Sequence, residues 1–178
     1  MKLTITEALA EIKTITKRLE KKRQFVASYL LRAEAAKDPL EKDGGTPLVL
    51  ARESQAIVDL ETRIVAIRTG IQQANHRIAV TVSGQTKMLA EWLTWRKEVA
   101  PGRQSFLDLQ RRTIVANRQN FQKQLNANPD DIGLKMGIAV QVDEGALAKD
   151  AETIETILGA LDGQLSLKNA TEFIELPD

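Results

Sequence analysis

Ile57-Val58-Asp59-Leu60-Glu61-Thr62-Arg63-Ile64-Val65-Ala66-Ile67-Arg68-Thr69-Gly70-Ile71-Gln72-Gln73-Ala74-Asn75-His76-Arg77-Ile78 decides the fold. Its apolar residues Ile57, Leu60, Ile64, Ile67, Ile71, Ala74 and Ile78 alternate steps of three and four without a break. That spacing is a heptad seam, with isoleucine at the a-type positions 57, 64, 71 and 78. At 1.5 Å per residue the seam covers roughly 30 Å of helix. Gly70 lies inside it and costs about 1 kcal/mol relative to alanine, so a close helix crossing is expected there. His76 falls near the helix end, where a cation meets the negative end of the dipole, and reads as a structural or surface residue.

Upstream, Thr6 to about Ala36 contains no Gly or Pro. Ile5, Leu9, Ile12, Leu19, Val26, Leu30 and Ala33 share a stripe if Thr16 and Arg23 occupy two of its positions, which predicts a long amphipathic helix. Lys17, Arg18, Lys21, Lys22 and Arg23 form a basic cluster on its flank, either a solvated face or a contact for an acidic partner or phosphate. Between the two helices, Lys37 to Thr46 carries Pro39, Gly44 and Gly45 and must turn. Thr46-Pro47 then suits an N-cap followed by the first helical position, where proline's missing N–H is harmless. A short connection between two striped helices predicts an antiparallel hairpin over residues 6–78.

Beyond the hairpin, residues 78–82 are short, β-branched and closed by Ser83-Gly84, a strand pattern. Helical segments are expected over 85–126, starting near Gln85 or Thr86 and kinked or ended at Pro101-Gly102. Trp92 and Trp95, one turn apart, serve either as anchors at an interface, where Trp is enriched, or as core. Residues 132–176 are expected to hold a strand at 137–142, on the alternation of Ile138, Val140 and Val142, then a helix from about Gly145 to Lys168. A terminal strand over 172–176 completes the chain. The fold class is therefore mainly α with a small β element, in one domain.

Composition narrows the chemistry. The 178 residues carry 25 Lys+Arg against 24 Asp+Glu, so no global field favours nucleic acid or an anionic membrane. No cysteine is present, which removes disulfides, thiolate zinc sites and cysteine nucleophiles; a single histidine removes multi-histidine metal sites. No phosphate-binding glycine loop, zinc-protease helix or serine nucleophile elbow occurs. Asp130-Asp131 and Asp143-Glu144 are adjacent carboxylates in turns, and a hard cation needs more convergent oxygens. Glu152 and Glu155 suit the positive end of the last helix. No catalytic residue, cofactor site or metal site is expected. Glu7 and Glu11 interrupt any secretory apolar run, and no window reaches the roughly 18 apolar residues of a membrane span.

The chain resembles a family of small bacterial and phage-encoded proteins, some of them labelled septicolysin. The matching features are Thr6-Glu7-Ala8-Leu9-Ala10, Ile71 with Asn75, Gly84-x-Thr86, and Trp95-Arg96 in a leucine-rich helix. Val142-Asp143, Leu161-Asp162-x-x-Leu165 and Asn169-Ala170-Thr171 continue the resemblance, and Ser105 to Asp131 follows it least. It implies a helical hairpin with a small β element and self-association, and supplies no catalytic residues. The cytolysin that the label suggests would need bilayer-length β-hairpins, for which no pattern exists in this sequence. The expected function is a non-enzymatic homo-oligomeric assembly protein of a phage or prophage particle, in the virion or the cytoplasm, with itself and other virion proteins as partners. The alternative is a cytoplasmic binding or regulatory adaptor using the basic helix face.

Overall fold

The structure, a computed structural model, describes residues 1–176. Helices hold 74% of the described residues, so the mainly α class is the class found. The described residues fall into two compact units, one of Met1–Ile78 with residues 165–176, the other of Ala79–Gln164.

In the first unit, β1 (Lys2–Thr4) pairs antiparallel with β4 (Phe173–Glu175), placing Leu3 opposite Ile174. The alternation at 172–176 foretold β4; its partner at the opposite end of the sequence was not foreseen. Thr4 ends β1 and caps α1 (Ile5–Ser28) in a reciprocal box: its hydroxyl accepts from the Glu7 amide at 3.2 Å and the Glu7 carboxylate accepts from the Thr4 amide at 2.8 Å. The Thr4 amide, and after it the Thr4 hydroxyl that donates to the same carboxylate at 2.9 Å, hold the Glu7 carboxyl below the ordinary carboxylate range.

The buried stripe of α1 is Ile5, Ala8, Ile12, Ile15 and Leu19. It differs from the expected stripe at Leu9, which is exposed, and at Thr16, because Ala8 and Ile15 keep the packed face wholly apolar. The helix ends at Ser28, well short of Ala36, and Tyr29 closes it by donating its amide N–H to the Val26 carbonyl. In the connection, Gly44 (φ 101°) and Gly45 (φ 95°) occupy backbone conformations that side chains rarely adopt. Helix α2 (Thr46–Arg77) then runs back along α1. Ion pairs from Glu11 to Arg63 and from Lys22 to Glu53 fix its antiparallel sense.

Gly70 admits the C-terminal segment, not a helix crossing. A Cβ placed there would lie 3.4 Å from the Ile174 side chain and 3.5 Å from Leu176. Ile67, Ala74, Ile174 and Leu176 are buried around this contact. The isoleucine and leucine side chains among them contribute about 1.5–3 kcal/mol each.

In the second unit, β2 (Ala79–Val82) and β3 (Gln85–Met88) form a hairpin whose turn residues Ser83 and Gly84 both have positive φ, 48° and 78°. Residues 85–88, expected to open a helix, complete this ribbon, and α3 (Leu89–Thr94) begins only after it. A π-helical turn over Trp95–Val99 leads without a break into α4 (Ala100–Ala127). Pro101 neither ends nor breaks the helix; it follows directly on the wider turn, which the Ala100 amide closes on the Trp95 carbonyl.

A short α5 (Ile132–Lys135) follows, capped by the Asp131 carboxylate. Residues 137–142 form no strand: the alternation is present, but no second strand pairs with it. Helix α6 (Glu144–Thr171) then gives Ile154 to a core with Ala100 and Leu107, against which Trp95, Leu147, Ala151 and Leu158 pack.

Candidate functional site

The heptad seam on α2 is graded. Ile67, Ala74 and Ile78 are buried, whereas Ile57, Leu60, Ile64 and Ile71 are only half-buried. The charges of α2 that face α1 are all engaged. Lys22 donates to Glu53 at 2.5 Å, Arg23 to Glu61 at 2.6 Å, and Arg63 to Glu11 at 2.8 Å. These pairs dissect the basic cluster. Lys22 and Arg23 tie the hairpin together, and Lys17, Arg18 and Lys21 are exposed with no ion-pair partner among the described residues.

The face of α2 turned away from α1 holds a second stripe that the isoleucine pattern obscured. Leu48, Ala51, Gln55, Val58, Thr62 and Val65 are all exposed, follow the same three-four spacing and carry no charge. Val58 and Val65 are 52% and 65% exposed, and Leu48 63%, unusual for aliphatic residues in such a register. Among the described residues Arg52, Asp59 and Arg68, which flank this stripe, form no ion pair. The signal was legible as an absence of charge at heptad spacing in a chain that is 28% charged.

Of the two candidate anchors, Trp92 is 1% exposed and donates its indole N–H to the Val80 carbonyl at 3.0 Å. Trp92 is thus core, with every polar atom satisfied, and not a surface anchor. Trp95 is half-buried and meets Trp92 edge to face at 5.8 Å between centroids. Lys87 places its ammonium 4.8 Å from the Trp92 ring.

The second unit also carries an open groove of about 810 Å³ between α4 and residues 138–142, lined by Leu109, Ile114, Phe121, Ile138, Val140 and Val142. Its floor is apolar, and Arg118 closes one side by pairing with Glu144. The adjacent carboxylates have local duties. Asp143 accepts from the Gly145 and Ala146 amides at the start of α6, and Asp131 caps α5. Among the described residues no group of three or more His, Asp or Glu could hold a metal ion, and no helix is long and apolar enough to cross a membrane. His76 is exposed in the last turn of α2.

No family model, curated protein or solved structure matches this chain.

Proposed function

We propose that the chain is a non-enzymatic, homo-oligomeric assembly protein that acts without a cofactor. The observation that carries this reading is the long hairpin whose α2 exposes aliphatic residues at heptad spacing while its inward charges are all paired. Helices with apolar residues at such intervals bury them against other helices, and a second copy offers the same surface. Placement in a phage or prophage particle, beside other virion proteins, follows from the resemblance to phage-encoded relatives.

Cross-linking of mixed ¹⁴N- and ¹⁵N-labelled protein at micromolar concentration tests self-assembly. Mixed-isotope links through α2 are expected; links confined to single-isotope chains would overturn the reading. For the particle assignment, the chain should be found at many copies in particles purified from a strain that encodes it, and its absence from them would exclude a virion role.

A second reading rests on Lys17, Arg18 and Lys21, which stand exposed on α1 with no ion-pair partner among the described residues. An adaptor using this face would lose its acidic partner on Lys17→Glu, Arg18→Glu and Lys21→Glu substitution while keeping its fold. A partner retained by the triple variant would dismiss it.

A further inference from the structure

We infer that the uncharged stripe of α2 is a two-fold interface on which a second copy of this chain docks antiparallel, centred between Ala56 and Ile57. The inference rests on the assembly reading above and specifies its surface and symmetry. Leu48, Gln55 and Thr62 occupy a-type positions, Ala51, Val58 and Val65 d-type positions, and Thr69 and Gln72 continue the register. In this phase Arg52 and Asp59 fall at e positions and Glu61 and Arg68 at g positions, the sites that set partner orientation in paired helices.

Charge selects both direction and register. Parallel pairing brings each g residue onto an e residue of the other copy, so Asp59 would meet Ser54 and Arg52 would meet Pro47, neither of them charged. Antiparallel pairing brings e onto e. With the axis between Ala56 and Ile57, Arg52 of each copy lies opposite Asp59 of the other, giving two equivalent ion pairs. The layers are then Leu48 on Val65, Ala51 on Thr62 and Gln55 on Val58, each occurring twice.

Moving the axis by half a heptad, to Leu60, sets Asp59 against Asp59 and Glu61 against Glu61, which repel. The next register pairs Glu61 with Arg68, but Glu61 is already held by Arg23 at 2.6 Å. Arg52 and Asp59 have no ion-pair partner within the described chain, and Gln55 donates to the Asp59 carboxylate at 2.9 Å from the same face. One self-complementary arrangement therefore uses the free charges and buries the exposed aliphatics.

Sedimentation equilibrium with circular dichroism tests this. Val58→Glu with Val65→Glu, both at positions more than half exposed in the single chain, should keep the helicity and lower the assembled mass by at least half. Arg52→Glu alone and Asp59→Arg alone should each weaken association about tenfold, and the double reversal should restore it. An unchanged mass in the valine variant with a folded spectrum overturns this face while leaving self-assembly intact. A double reversal no tighter than its parents overturns the antiparallel register, and remains decisive should the valine variant fail to fold. A wild-type chain that stays at 19.7 kDa at every concentration overturns the interface and the assembly reading together.

Discussion

Asp38 and Thr46 close the hairpin: the Asp38 carboxylate accepts from the Thr46 amide at 2.9 Å and from its hydroxyl at 2.5 Å, and takes the Leu40 amide at 2.9 Å as well. Thr46 was expected to cap α2 with its own side chain. A residue eight positions earlier performs that role, and ties the loop to the helix in doing so. The hydrogen bond from the Thr46 hydroxyl, followed by those from the Thr46 and Leu40 amides, lowers the Asp38 carboxyl pKa to about 2.

The folded value lies below the ordinary carboxylate value, so the contribution of Asp38 to stability is complete above about pH 4 and is lost as pH falls towards about 2. Thermal melting of the wild type should show an acid-side decline in that window. Asp38→Asn should melt lower at pH 7 and show a smaller decline. Two parallel pH profiles would contradict the role given to Asp38.

Gly70 makes a size-dependent prediction. Alanine gains about 1 kcal/mol of helix propensity and meets Ile174 at ordinary contact distance, so Gly70→Ala should be close to neutral or stabilising. Gly70→Leu must displace Ile174 and Leu176 and should cost about 1–3 kcal/mol by overpacking. Urea unfolding of both variants checks this, and equal stability of the two would mean that β4 does not pack on Gly70.

Trp92→Phe shrinks the buried ring and removes the indole N–H bond to the Val80 carbonyl. The expected loss is about 1–3 kcal/mol, against about 3–5 kcal/mol for Trp92→Ala. Denaturant melts followed by circular dichroism measure both. A stable Trp92→Ala variant would move Trp92 out of the core.

The pair Glu11–Arg63, with both side chains about 70% shielded, should give a double-mutant coupling of about 0.5–1 kcal/mol that shrinks with added salt. A coupling of zero at low salt would remove this pair from the account of hairpin stability.

What the sequence revealed was local. The isoleucines of α2 announce a helix by themselves, and Pro39 with Gly44 and Gly45 announces the turn. Trp92 could be read either way because indole suits both core and interface, and only the Val80 carbonyl decides. The strand expected at 137–142 shows the limit in another way: alternation describes a chain able to pair, and pairing needs a partner edge that this fold does not bring to it. Conversely β3, with polar Gln85, Thr86 and Lys87, lacks a strong strand pattern and is held by its turn and by the 2.8 Å hydroxyl contact between Thr81 and Thr86. The meeting of Leu3 with Ile174 joins the two ends of the sequence, which no local periodicity encodes. At the candidate interface, strong isoleucine spacing on one face of α2 masked the weaker uncharged spacing on the other.

The absolute mass of the purified chain, measured by light scattering after size exclusion across a concentration series, tests the assembly account most directly. Self-assembly requires a mass at least twice 19.7 kDa that is reached as concentration rises. A constant 19.7 kDa at every concentration would contradict it.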